Sequence, residues 1–336
     1  MTDPLEARTS GAGAASDARR SAESGVRSRS GSDPALPGAV GEPRSYYGRP
    51  ILKSPVWKPE VPWYFFAGGT AGASSVLAAV AELSGQPVLA RSARRVAAVG
   101  AAVSPVLLVA DLGVPRRFLN MLRVFRLTSP LSMGSWVLSV YAPSAISAAL
   151  LAEVVRLPRL RRVLSGAAAV GGLPMMTYTA VLVADTAIPV WHEARRELPF
   201  LFAGSAAASA GAAASLLAPA GPGSPARRLT VLGVGLEVAA ERAMHRRLGF
   251  LGQPYREGVA GRYARAARGA SLVGAGLTVR PGGRRAERAA GAGLVLAGSV
   301  LQRWAVFRAG WQSAADPQYV VRSQRARLES GGRVGG

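Results

Sequence analysis

The chain has 336 residues, of which 49% are hydrophobic and only 18% are charged. Its mean hydropathy is +0.19 although it contains 41 Lys and Arg residues. The apolar and charged residues must therefore occupy different segments, as they do in polytopic membrane proteins. The absence of cysteine excludes disulfides, zinc–thiolate sites and iron–sulfur clusters ligated by this chain. The net charge of +22 raises nucleic-acid binding as a class that the positions of the arginines must test.

The chain begins with a segment, 1–45, that lacks the large apolar residues a folded core needs. This composition predicts a disordered basic tail, and the apolar run of a signal peptide is missing from it. The next segment, 46–60, mixes prolines and aromatic residues such as Tyr47 and Trp57 with Lys and Arg. That mixture favours an interfacial segment, because aromatic rings and cations both find partners at a membrane surface.

A series of apolar runs follows. A membrane-spanning helix needs roughly 20 mostly apolar residues, and five runs of about this length occur at 61–81, 96–112, 127–152, 164–184 and 198–226. Three weaker runs occur at 229–236, 269–279 and 289–307. Because lipid offers no partner to free backbone groups, all of these runs are predicted as helices. We expect an all-α polytopic membrane domain over 61–310 with about eight transmembrane helices, followed by a polar C-terminal tail over 311–336.

The arginines cluster between these runs, at 91–95, 116–126, 156–162 and 280–285. Cations at loops and helix ends anchor a protein in the membrane and attract lipid head groups. A nucleic-acid-binding protein would instead carry a basic face with groups that stack on bases. The positions therefore indicate membrane lipid as a partner and argue against nucleic acid.

A short repeat relates the first and fifth runs. Glu60-Val-Pro62 precedes Phe66-Ala-Gly68, and Glu197-Leu-Pro199 precedes Phe202-Ala-Gly204. If the two helices are equivalent, the domain consists of two four-helix bundles, an arrangement in which sites often lie within or between the halves.

Ionisable residues inside or beside the apolar runs are functional candidates, because burial in a membrane makes them costly. Asp111 ends the second run, where it could exchange a proton with a polar head group or pair with Arg116 or Arg117. Asp185 closes the fourth run.

One further group has helical spacing. Glu237, Glu241 and His245 recur every four residues, so they share one helix face. This face could form a proton path, or an ion-paired patch with the arginines at 242, 246 and 247.

Haem and metal chemistry lack ligands in this sequence. A membrane cytochrome b needs paired histidines on facing helices, whereas this chain has two histidines, His192 and His245, neither placed well inside a run. We expect no haem and no metal site, and no P-loop, nucleophile elbow or catalytic triad is present.

Six segments carry a resemblance to a known family. They are 47–53, 57–69, 104–113 with its Asp111-Leu-Gly113, 117–123, 129–136 and 189–199. In order and spacing, over about 46–204, they resemble the NrfD/polysulfide reductase family of membrane subunits, whereas the C-terminal half is similar mainly in its helix pattern.

The resemblance implies an eight-helix, haem-free membrane subunit that binds a quinone, either menaquinone or ubiquinone. Such a subunit exchanges electrons with a ferredoxin-like iron–sulfur subunit carrying four-iron clusters, which serves a molybdopterin-type catalytic subunit. Both a formate dehydrogenase-like and a polysulfide reductase-like complex remain open. A sequence without cysteine is consistent with this arrangement, because the redox groups would lie in the partner subunits and in the quinone.

The resemblance also implies a quinone site in the first four-helix bundle, with an aspartate and a tyrosine near the head group. Asp111 matches the family's Asp-Leu-Gly segment and is the first choice. Tyr64 and Tyr178 are candidates by position and chemistry, and Trp136 is a candidate for stacking on the ring.

Two further sets of residues are assigned as hypotheses. Because protons accompany electrons at a quinone, the proposed relay groups are Asp185, Glu237, Glu241 and His245. The candidates for docking the iron–sulfur subunit, with lipid head-group contact as the alternative, are Arg116, Arg117, Asn120 and Arg123.

Two other functions remain open. A duplicated bundle with buried carboxylates also suits a proton-coupled secondary transporter. A purely structural membrane anchor for an enzyme complex is the third possibility.

Overall fold

A computed structural model describes residues 51–114, 116–123, 125–154, 157–218 and 224–331 of the chain. The predicted tail at 1–45, the first five residues of the predicted interfacial segment and the last five residues of the chain lie outside the described residues. Within the described residues the secondary structure is helical and contains no strand, so the predicted all-α class is confirmed.

Eleven α-helices occur in the described part of the chain. In chain order they are α1 Glu60–Leu83, α2 Pro87–Leu112, α3 Arg116–Leu122, α4 Pro130–Glu153, α5 Pro158–Ala184, α6 Pro189–Glu193, α7 Leu198–Leu217, α8 Pro225–Leu248, α9 Gly258–Val279, α10 Arg285–Ala315 and α11 Gln318–Gly331. Short 3-10 helices at Ala194–Arg196 and Gly249–Tyr255 precede α7 and α9.

Eight of these helices have 20 residues or more, and six of the eight are long and apolar enough to cross a membrane. The six are α1, α2, α4, α5, α7 and α10. Helices α8 and α9 carry several charged residues, such as Glu237 and Arg268. The chain is thus a multi-pass membrane protein as predicted, while the count of eight spans stays a prediction.

Proline and glycine set several helix ends. Proline occupies the first position of α2, α4, α5 and α8, where its missing N–H is not needed and its fixed φ suits a helix. Gly113 stops α2 in a left-handed conformation with φ of 68°. The uncharged run 198–226 is divided between two helices, because α7 ends at Leu217 and α8 begins at Pro225, with further prolines at 219 and 222 between them in the sequence.

The long helices contact one another in two groups of four, which agrees with the predicted two bundles. Helices α1, α2, α4 and α5 form the first group, and α7, α8, α9 and α10 form the second. Small residues let the backbones approach closely. A Cβ atom at Gly72 in α1, for example, would lie 2.6 Å from the carbonyl oxygen of Gly172 in α5.

The two groups meet along a seam between α1 and α7. The hydroxyls of Thr70 and Ser209 are 2.8 Å apart across this seam. Trp57, in the described part of the predicted interfacial segment, stacks on Trp191 of α6 with ring centroids 5.2 Å apart. Helix α6, which lies between the two groups in the chain, is therefore packed against the segment that precedes α1.

The predicted polar C-terminal tail is largely helical as far as residue 331. Helix α10 continues to Ala315, and α11 occupies most of the remaining segment up to Gly331. The buried side chain of Tyr319 stacks on Phe250 with centroids 5.2 Å apart, which attaches the start of α11 to the 3-10 helix after α8.

Candidate functional site

Asp111 lies in the last turn of α2, immediately before the helix stops at Gly113. Its Oδ1 accepts a hydrogen bond from the backbone N–H of Lys58 at 3.0 Å. The ammonium of Lys58 donates to the carbonyl oxygen of Ala110 at 3.4 Å. These two contacts fasten the segment before α1 to the end of α2 and hold the carboxylate in one orientation. Asp111 forms no ion pair with Arg116, and the side chain of Arg117 lies outside the described part of the structure.

Tyr64 and Tyr178 contact each other inside the first helix group. Their ring centroids are 6.4 Å apart with planes inclined at 69°, which is a favourable edge-to-face geometry. Tyr64 is buried and Tyr178 is half-buried. Gly134 of α4 leaves the space that the Tyr178 ring occupies, because a Cβ atom at this glycine would collide with Cε2 of the ring.

These residues share one end of the first helix group. Tyr64 lies near the start of α1 and Gly134 near the start of α4, whereas Asp111 lies at the end of α2 and Tyr178 lies toward the end of α5. The Lys58 contact to Asp111 and the tyrosine contact therefore place two phenols and a carboxylate at the same end of the bundle.

Trp136 also lies near the start of α4 but on its outer face. Its side chain is 37% exposed and its ring meets Phe125 edge-on with centroids 5.7 Å apart. The structure thus brings Tyr64 and Tyr178 together and leaves the indole of Trp136 on the outer face of α4.

An aromatic row crosses the seam from the tyrosine pair. Phe65 lies 6.1 Å from Tyr64 and 5.9 Å from Phe202 of α7, as measured between ring centroids. The guanidinium carbon of Arg303 lies 3.8 Å from the centre of the Phe202 ring. Sequence reasoning missed Arg303, because the repeat containing Phe202 gives no indication of which residue of α10 contacts that ring.

Arg303 of α10 and Glu237 of α8 are ionisable residues buried in the second helix group, with 1% and 4% exposure. Nη2 of Arg303 donates to the carbonyl oxygen of Phe202 at 2.9 Å. Oε2 of Glu237 has no hydrogen-bond partner among the described residues. A buried carboxylate oxygen without a partner is costly, and such groups in membrane proteins are typically functional.

Glu241 lies one turn further along the same face of α8. It forms a two-pronged ion pair with Arg268 of α9, with distances of 2.8 and 2.6 Å, and its Oε1 lies 3.5 Å from Nε2 of His245. The ion-pair partner of Glu241 is therefore an arginine of the neighbouring helix α9. Arg247, one of the arginines expected to pair with this face, pairs instead with Glu197.

A small cavity connects the two glutamates. Its volume is about 20 Å³, and Glu237, Glu241, Arg268 and Gln302 are among the residues that line it. The rest of the lining is mainly apolar, but the cavity has room for one water molecule, for which these polar side chains are possible partners. Asp185 is exposed at the end of α5 and does not line this cavity.

The candidate docking residues lie on and just after the short helix α3. Arg116, Asn120 and Arg123 are exposed, as is the neighbouring apolar side chain of Leu119. This helix begins three residues after Gly113, so its cations lie close in sequence to Asp111.

Among the described residues, no group of three or more His, Asp or Glu side chains is placed to hold a metal ion. His192 lies at the surface, with Nδ1 3.2 Å from the carbonyl oxygen of Ala184.

Comparison with known families gives one match. The family model described as polysulphide reductase, NrfD matches residues 52–224, which include Lys58, Asp111 and both tyrosines. A search of curated proteins found no match.

Proposed function

Because the chain belongs to the polysulphide reductase NrfD family, we propose that it is the quinone-binding, membrane-anchoring subunit of a multi-subunit oxidoreductase. In this proposal it passes electrons between the membrane quinone pool and a ferredoxin-like iron–sulfur subunit, which serves a molybdopterin-type catalytic subunit. The observation that carries the proposal is the carboxylate of Asp111, held by Lys58 at the bundle end that also contains Tyr64 and Tyr178.

The residues at this end fit a quinone head group. Binding sites for small molecules combine apolar walls with a few placed polar groups. Here the phenols can donate hydrogen bonds to the carbonyl oxygens of a quinone, and the aromatic row through Phe65 supplies an apolar wall. A quinone supplies the redox chemistry, because it takes up or releases two electrons together with two protons.

The chain's own residues handle the protons in this scheme. Asp111 holds or releases a proton at its carboxylate, and the Lys58 N–H keeps that carboxylate oriented. Tyr64 is buried, so water has limited access to the head group on that side.

A second set of residues is proposed to move protons through the other helix group. The path begins at the partly exposed His245, passes Glu241 and the water-sized cavity, and reaches Glu237. The proposed path ends at Glu237, and the guanidinium of Arg303 contacts the Phe202 ring at the seam. Asp185, which is exposed at the end of α5, is proposed as a proton-relay group at the surface.

The iron–sulfur partner is proposed to dock at α3. The exposed cations Arg116 and Arg123 suit an acidic surface, and their place after Gly113 would bring a cluster close to the Asp111 end of the bundle. Arg117 is proposed as part of the same surface.

Quinone extraction tests the proposal against its alternatives. We expect the purified full-length chain to contain close to one quinone per chain, measured by organic extraction and chromatography, with much less after Asp111→Asn. A proton-coupled transporter or a purely structural anchor would contain no stoichiometric quinone, and this result would contradict the proposal.

A further inference from the structure

A large groove lies on the membrane-facing side of the seam between the two helix groups. Its volume is about 600 Å³, within the range of sites that hold small organic ligands. Helices α1 and α2 form one wall, and α7 and α10 contribute the other. Apolar side chains dominate the lining, including Trp63, Phe66, Val99, Val103, Leu107 and Leu217.

The groove follows one stripe of α2. The lining residues Val96, Val99, Val103 and Leu107 recur every three or four residues, which is the spacing of one helix face. The next step of this stripe, four residues beyond Leu107, is Asp111. The groove therefore leads along α2 toward the carboxylate that Lys58 holds.

We propose that this groove holds the isoprenoid tail of the quinone whose head group contacts Asp111. The inference rests on the proposed function and adds a second part to that site. A long apolar tail matches the groove in chemistry, and the helical stripe joins the groove to the head-group end.

The charge at the groove favours a quinone over a phospholipid. Of the residues that line the groove, Arg95 is the charged one, and Glu153 holds its guanidinium through two contacts of 3.0 Å each. A phospholipid needs a free cation or several donors for its phosphate, whereas a quinone tail needs none. The lining also contains one hydroxyl, that of Thr70, which Ser209 already engages.

The expected contribution of the groove is limited. Lipid tails are as apolar as the groove, so a quinone tail gains little from the hydrophobic effect when it leaves the bilayer. The preference must come from close packing of the tail against the walls. A bulky side chain that fills the groove should remove this packing and leave the head-group contacts intact.

The substitution Val99→Trp is designed to fill the groove with a bulky ring far from the proposed quinone head group. Val99 precedes Asp111 by 12 residues, which is about 18 Å along a helix, and its side chain is 65% exposed. The matched control is Val140→Trp, because Val140 of α4 is 60% exposed and does not line the groove. Both substitutions enlarge a valine on a membrane-facing surface, so neither disturbs a packed core.

The test compares two quinones that share a head group. One carries a tail of several isoprene units and the other a single unit, and their Kd values are measured with the full-length chain in lipid nanodiscs. We expect the long-tailed quinone to bind the wild type and Val140→Trp about tenfold more tightly. In Val99→Trp this ratio should fall to about one, through weaker binding of the long-tailed quinone.

Three results would overturn the inference. An unchanged ratio in Val99→Trp would show that the tail lies elsewhere while leaving the head-group site in place. Phospholipid retained by the wild type in native mass spectrometry and lost in Val99→Trp, without an effect of tail length, would assign the groove to lipid. Failure of both quinones to bind the wild type would overturn the inference together with the proposed function.

Discussion

The backbone N–H of Lys58 donates a hydrogen bond to Oδ1 of Asp111 over 3.0 Å, so a residue outside the helix bundle orients the carboxylate at the end of α2. The Lys58 side chain strengthens the same junction through the carbonyl oxygen of Ala110. Since hydrogen bonds to a carboxylate are among the stronger ones in proteins, the segment before α1 is part of the proposed quinone site.

Two substitutions at Lys58 separate the roles of its backbone and side chain. Lys58→Pro removes the N–H that Asp111 accepts from, and we expect it to weaken quinone binding about tenfold. This corresponds to about 1.4 kcal/mol, as expected for one hydrogen bond to a charged group. Lys58→Ala keeps the N–H and should change the Kd less than threefold. Equal Kd values for the two variants in nanodiscs would show that the N–H contact is unimportant.

Gly134 is expected to be required for the position of Tyr178. A methyl group at Gly134 would collide with the Tyr178 ring, so Gly134→Ala should lower the free energy of unfolding by about 1–3 kcal/mol and weaken quinone binding. Thermal unfolding in detergent measures the first effect.

Two comparisons check the cause. Gly166→Ala adds the same methyl group where no atom lies within 4 Å, and it should leave stability nearly unchanged. In the double variant Gly134→Ala with Tyr178→Ala, the loss should be smaller than the sum of the single losses. Strict additivity would indicate that Tyr178 and Gly134 act independently.

Glu237→Gln tests the proposed proton path. It removes the titratable group next to the water-sized cavity while preserving side-chain size. We expect proton uptake coupled to quinone turnover to slow at least tenfold in proteoliposomes containing the complete complex, with quinone affinity unchanged. Glu287→Gln at the start of α10, in a partly exposed ion pair with Arg280, serves as the control. Normal proton uptake in Glu237→Gln would remove this residue from the path.

Charge reversal on α3 tests the docking surface. Arg116→Glu combined with Arg123→Glu should reduce recovery of the iron–sulfur subunit in pull-down experiments at least tenfold at low salt. The loss should be smaller at high salt, because exposed charges are screened. Arg246→Glu, which reverses an exposed cation at the end of α8, should have no such effect. Equal losses in both variants would indicate a general effect of charge at the membrane surface.

The sequence was sufficient to predict the all-α class and the six long apolar helices, whereas α8 and α9 are much longer than the short runs that marked them. Apolar runs of about 20 residues mark the helices directly, because the bilayer imposes that length. The break between α7 and α8 could not be seen in the charge pattern, since the prolines at 219 and 222 interrupt a helix without adding charge. Helix α11 contains mostly polar residues, so neither its helical structure nor the contact of Tyr319 with Phe250 was predicted.

Contacts between helices could not be predicted from the sequence. The spacing of Glu237 and Glu241 correctly placed both on one face of α8. The ion-pair partner of Glu241, however, is Arg268 of α9, which lies 27 positions further along the chain. In the same way, the sequence suggested Tyr64 and Tyr178 separately, and their contact depends on how α1 packs on α5. Arg303 was missed because it lies in a weak apolar run, and its burial follows from packing at the seam.

The most direct test of quinone chemistry at Asp111 is Asp111→Asn in the complete complex, assayed with a quinone and with an artificial dye that accepts electrons from the catalytic subunit. We predict a loss of at least a hundredfold in quinone-coupled turnover with dye activity unchanged, whereas the control Asp316→Asn, which retains a side chain able to cap α11, keeps both activities. Unchanged quinone-coupled turnover in Asp111→Asn would contradict the assignment of this carboxylate to the quinone site.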